Sequence, residues 1–126
     1  MNETYKLIQD TIARLGYKVL DDDGEILTVF YQLNVIHISP DMQDGGFVTV
    51  FTPIGETVSH ENRVEVLEKC NKLSSKVKVM KYCVYEDEVV ATSEFFFRNK
   101  AEVKFQLTTA LNQIAMAKSL YNDTRV

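Results

Sequence analysis

The chain has 126 residues, 45% of them hydrophobic and 25% charged. That length fits one domain, residues 1–126, and the composition is that of an ordinary folded chain, not a disordered or membrane one. A net charge of −4 and a pI of about 5.2 argue against a nucleic-acid footprint, which needs a clustered basic surface.

The opening "MNETYKLIQD" lacks the apolar stretch of a signal peptide. No apolar run approaches the roughly 18 residues of a membrane span. The expected location is cytoplasmic, where Cys70 and Cys83 are expected to stay reduced.

Asn2 can cap a first helix running to about Leu15, with Glu3 in the first turn, where the helix dipole favours an acid. Tyr5, Ile8, Ile12 and Leu15 recur at steps of three and four and form one apolar stripe. Gly16 suits the position that ends a helix. A short strand, Tyr17 to Leu20, and the turn "DDDGE" follow.

Two strands come next, Ile26 to Tyr31 and Asn34 to Ser39. With Gln32-Leu33 as the loop, Tyr31 pairs with Asn34, Val29 with Ile36 and Leu27 with Ile38. That face is mostly apolar, and the opposite one, with Ile26, Thr28, Phe30, Val35, His37 and Ser39, is mixed. Neither loop residue is a favoured hairpin residue. "SPDMQDGG" reads as a loop, and Phe47 to Thr52 as a fourth strand ended by Pro53.

A second helix is expected over about His60 to Leu73, with Val64, Leu67, Cys70, Asn71 and Ser74 along one stripe. A long hairpin follows: Lys76 to Tyr85, a turn at Glu86-Asp87-Glu88, and Val89 to Phe97. The last helix runs from about Lys100 to Tyr121. Asn99 is its N-cap, Glu102 completes a capping-box-like pair, and "NDTRV" is a terminal tail. The order α-β-β-β-β-α-β-β-α, with short loops between strands, implies an α+β fold with a mainly antiparallel sheet.

Two stretches carry a resemblance. "VEVLEKCNKLSSKVKVMKYCVYEDEVVATSEFFF", Val64 to Phe97, resembles the middle of the YbjN family of candidate bacterial sensory-transduction regulators. Those proteins have a helix with an "LN-like" end, a strand hairpin and a long last helix. Asn71 stands at that end, after Cys70 where a small apolar residue is usual. "LIQDTIARLGYKVLDDDGEIL", Leu7 to Leu27, is similar to the family's first helix and strands. The resemblance implies a fold like the type III secretion chaperones, which bind partner proteins and often form dimers. It brings no catalytic residues with it.

The residues themselves offer little chemistry. No Cys, His or carboxylate stands at metal-ligand spacing beside His37 or His60, which read as surface or partly packed side chains. Cys70 and Cys83 are not in a C-x-x-C arrangement. Asp21 to Glu25 has Gln32 where a calcium loop needs its twelfth-position Glu. Asp44-Gly45-Gly46 does not lead from a strand into a helix, as a phosphate loop would. No serine has a nucleophile-elbow context. No catalytic, cofactor or metal site is expected.

What remains is apolar surface. A hairpin centred between Asp87 and Glu88 places Lys81 opposite Glu94, Val79 opposite Phe96, Cys83 opposite Thr92 and Tyr85 opposite Val90. The other face, with Met80, Tyr82, Phe95 and Phe97, is the better core face. The first expectation is a non-enzymatic cytoplasmic regulator or chaperone-like module. It binds a protein partner through Phe96, Val79, Tyr85 and Val90 and self-associates as a homodimer. The alternative is a small-ligand sensor with an apolar pocket between the last helix and the sheet, lined by Phe95, Phe97 and Leu107. An enzyme would need His37 beside an acid in one cleft.

Overall fold

The computed structural model describes residues 3–41, 43 and 45–123. The expected cap Asn2, the turn residue Asp44 and the end of the tail lie outside the described residues. The elements are α1 (Glu3–Leu15), β1 (Lys18–Asp22), β2 (Leu27–Tyr31), β3 (Asn34–Pro40), β4 (Phe47–Thr57), α2 (Arg63–Lys76), β5 (Lys81–Tyr85), β6 (Glu88–Phe96), α3 (Lys100–Ala115) and α4 (Ala117–Asn122). The fold is α+β, and its expected order holds, with the last helix divided at Met116.

The six strands form one antiparallel sheet in the order β1-β2-β3-β4-β6-β5. All four helices send their buried side chains into one core, against one face of that sheet. Tyr5, Ile8 and Ile12 come from α1, Leu107, Leu111 and Ile114 from α3, and Tyr121 from α4. They meet Leu27, Val29, Ile36, Ile38, Val48, Val50 and Ala91 of the strands, all essentially inaccessible to water. Tyr82 of β5 joins this core, and its hydroxyl donates to the carbonyl of Ala117 at 2.6 Å, fixing α4 to the sheet. Burial pushes the Tyr82 phenol up to about 12.

The β2–β3 register is the expected one, from Leu27↔Ile38 to Tyr31↔Asn34. Its two-residue loop places Gln32 and Leu33 at φ 47° and 65°, the left-handed geometry that matches strand twist. α1 closes at Gly16 (φ 75°), where the Gly16 and Tyr17 amides donate to Ala13 and Ile12 carbonyls. "DDDGE" is a turn: Asp23 Oδ1 accepts the amides of Glu25 and Ile26 at 2.8 and 2.7 Å. Asn99 caps α3 by accepting the Glu102 amide.

Four expectations are corrected. Pro53 does not end β4, which continues to Thr57. A proline has no N–H for the ladder, and the nearby carbonyl of Val35 accepts instead from the Thr52 hydroxyl at 2.8 Å. α2 begins at Arg63 and ends at Lys76, and it buries Val66, Cys70 and Leu73, not Val64 and Leu67. Two apolar stripes overlap on this helix, and the one that continues into Val77 packs on the core.

The last hairpin is two residues out of the expected register. Its tight turn is Glu86-Asp87 (φ 48° and 63°), which pairs Tyr85 with Glu88, Cys83 with Val90 and Lys81 with Thr92. Lys81 still reaches Glu94, at 3.0 Å, but diagonally. Val79, expected on the strand opposite Phe96, lies before β5 at φ 63°, and Phe96 pairs with Phe47 of β4.

β5 is an edge strand, and α2 closes that edge. The Ser74 hydroxyl accepts the Tyr82 amide at 2.8 Å and lies 3.4 Å from the Tyr82 carbonyl oxygen, to which it donates.

Candidate functional site

The helices leave the second sheet face uncovered by any described element, and strand alternation decides what it shows. One row across the sheet runs Thr28, His37, Phe51, Thr92 and Lys81. The next holds Phe30 paired with Val35, then Pro53 paired with Val90, which pairs in turn with Cys83. Val35, His37 and Pro53 line one shallow depression, which Lys118 of α4 borders at its rim. Five strands therefore each contribute an apolar or weakly polar side chain to a single band. Phe30 and Val35 are exposed, and Pro53, Val90 and Cys83 are half-buried.

The expected partner-binding residues fall unevenly on this face. Val90 lies within the band. Tyr85, exposed, extends it by one row, since it follows Cys83 on the same face of β5. Phe96 is 62% exposed and stacks on Phe47 with ring centroids 4.7 Å apart. It stands six residues from Val90, about 20 Å along the strand. Thr92 and Glu94 lie between them. Val79 is 68% exposed but belongs to the loop before β5. The four are not one patch: Val90 and Tyr85 belong together, Phe96 pairs with Phe47, and Val79 stands apart. Sequence reasoning missed Phe30 and Val35, although their mixed strand face was visible.

His37 sits in the middle of the face, its Nδ1 hydrogen-bonded to the Thr28 hydroxyl at 2.9 Å and its ring 5.1 Å from that of Phe51. Burial holds its pKa below the ordinary value, so the neutral ring is favoured near pH 7. The partner of that ring is a hydroxyl and not an acid. His60 is exposed. Cys70, on the buried side of α2, has its thiol pKa pushed up by burial, and both cysteines are free. Among the described residues no three His, Cys, Asp or Glu side chains stand together as metal ligands would. Nor is any described helix long and apolar enough to cross a membrane. Phe95 and Leu107, expected to line a ligand pocket, lie in the core, and Phe97 packs against it.

This fold recurs among solved structures. The chain superposes on YbjN from E. coli, a candidate transcription regulator, with a TM-score of 0.71 at 9% identity, over 96% of this chain and 93% of that one. It is similar to the Yersinia pestis type III secretion chaperone SycH, solved in complex with a stable fragment of YscM2 (TM-score 0.60, 15% identity, 93% and 98% coverage). An uncharacterized protein from Methanothermobacter thermautotrophicus is also similar (TM-score 0.62, 16% identity, 94% and 93% coverage). No family profile matches the chain, and no curated protein matches its sequence. At these identities the likeness is one of fold. It agrees with the YbjN-like and chaperone-like architecture that the resemblance implies, and two of these neighbours are a candidate regulator and a secretion chaperone.

Proposed function

We propose that this chain is a non-enzymatic, YbjN-like regulator or chaperone-like module, acting as one cytoplasmic domain, that binds a protein partner and a second copy of itself through the uncovered sheet face. The carrying observation is one-sidedness: every described helix lies against one face, while the other presents Phe30, Val35, Val90 and Tyr85 in a continuous band. Exposed apolar surface that is contiguous marks an interaction site. The fold's occurrence in a chaperone solved with a protein fragment supports the same reading. Phe96 with Phe47 forms a second contact point, and Val79 borders the β5 end.

The test is sedimentation velocity over a wide concentration range, with capture of partners from a lysate, for the wild type, Val90→Asp, Tyr85→Asp and Phe96→Asp. Far-UV circular dichroism checks folding of each variant; Tyr85 and Phe96 are exposed, so their variants keep the test open if half-buried Val90 does not tolerate Asp. Each Asp in the band is expected to weaken association at least tenfold. A wild type that stays monomeric and captures the same proteins as every variant would sink the proposal.

A further inference from the structure

The helical layer carries a second surface, unrelated to the sheet face. α1 packs against α3, and their seam opens as two adjoining clefts of about 300 and 420 Å³ that share Arg14 and Lys100. Lys104 lines the first cleft and Lys6 the second. None of these four cations has an ion pair among the described residues, where the pairs are Arg63–Asp87, Lys81–Glu94 and Arg98–Glu102. Arg14 Nε donates to the Asp10 carbonyl of its own helix, at 3.4 Å. Two acids, Glu3 and Asp10, also border the second cleft. The trough therefore holds a surplus of positive charge in a protein of net charge −4. Phe105, 72% exposed, stands beside Lys104 at its rim.

Lys100 and Lys104 lie one helical turn apart on one wall. Lys6 and Arg14 span eight residues, about 12 Å, on the other. A helix with carboxylates on successive turns has the same spacing, and an apolar side chain beside them would cover Phe105. We propose that the α1–α3 trough docks an acidic amphipathic helix of a protein partner. Its carboxylates pair with Arg14, Lys100, Lys104 and Lys6, and its apolar edge rests on Phe105. A nucleic acid fits less well. Its backbone engages a wide run of cations, whereas this trough is short and offers four.

Fluorescence anisotropy tests this with a labelled amphipathic helix carrying Glu along one face and Leu beside it. The same helix with Gln for Glu, a labelled DNA duplex and inorganic phosphate are the comparisons. The Glu helix is expected to bind at least tenfold more tightly than the Gln helix. Lys100→Glu/Lys104→Glu is expected to weaken it at least tenfold, Phe105→Ala severalfold, and Phe96→Asp not at all. Arg14→Gln/Lys104→Gln, both at helix surfaces, repeats the test without charge reversal should the first pair misfold. Equal binding of the Glu and Gln helices overturns the proposal. So does tighter binding of the duplex with the same sensitivity to substitution, or thermal protection by phosphate without helix binding. Loss of binding in Phe96→Asp would also overturn it, because the site would then belong to the sheet face.

Discussion

Val79 is a β-branched residue in left-handed backbone, at φ 63°. Such a residue is a genuine outlier, because its Cβ crowds the following carbonyl at a cost of about 1–2 kcal/mol. The surrounding structure holds it there: the Ser93 hydroxyl donates to the Val79 carbonyl at 2.9 Å, and the Val77 amide two residues earlier closes α2 on Leu73. Replacing Val79 with Gly removes the crowding but adds unfolded-state entropy of about 0.4–1 kcal/mol. It also forfeits the small buried fraction of a side chain that is 68% exposed, about 0.5 kcal/mol. Replacing it with Ala gives up the same contact and keeps the crowding. Val79→Gly should therefore be the more stable of the two variants by about 0.5–1 kcal/mol, or about 2–5 °C in Tm for a domain of this size. At an ordinary loop position the ranking would be reversed. Thermal melts of the wild type and both variants decide it. Val79→Ala melting at or above Val79→Gly would refute the reasoning.

Gly46→Ala should go the other way. Gly46 sits at φ 88°, and an added Cβ would meet the Phe97 carbonyl oxygen at 2.8 Å, in a stretch where the Phe97 amide already donates to Gly46. A loss of about 2 kcal/mol is expected, read as a lower urea midpoint with an unchanged m-value. The third prediction concerns pH. Asp22 accepts hydrogen bonds from the Tyr5 hydroxyl and from Gln9 at 2.6 Å, which hold its carboxyl below the usual range, the Tyr5 bond most of all. A group whose folded pKa is depressed adds stability above its unfolded pKa, and that stability is lost as pH falls through the folded value. The wild-type Tm should therefore fall between about pH 5 and pH 3. Asp22→Asn should start lower at pH 7 and fall less. The difference at pH 7 should be no more than about 0.5–1 kcal/mol, since the group is largely solvated. Equal pH slopes in the two proteins would contradict the assignment.

The parts of the fold legible in the residues are those where a pattern has one physical solution. Leu27, Val29 and Tyr31 against Asn34, Ile36 and Ile38 share one face by alternation, and the two-residue loop Gln32-Leu33 sets which of them meet. The β5–β6 hairpin lacked that constraint. A slip of two residues keeps every side chain on its own face, so Lys81 and Glu94 could suggest direct opposition while in fact meeting diagonally. The deciding information was the turn, and Glu86-Asp87 is not the Asn-Gly signature by which such turns are read. On α2, Val64 and Leu67 compete with Val66, Cys70 and Leu73 for the same assignment, and only the docking against β5 separates them. The site was half legible for the same reason. Face membership of Val90, Tyr85 and Phe96 follows from alternation, but their grouping depends on register and on Val79 leaving the strand.

The Ser74 hydroxyl, bound to both backbone groups of Tyr82, makes the sheet polar in the sense of a growing polymer. An open edge offers a template to any passing strand and so seeds fibrous assembly. At β5 the Tyr82 part of that template is occupied from within the chain, which shortens the open edge. On the opposite side β1 carries a bulge between Val19 and Asp21 that spoils the match with a straight newcomer. With both ends blunted, the apolar band can stay exposed on the sheet's surface without the sheet itself becoming a seed for aggregation.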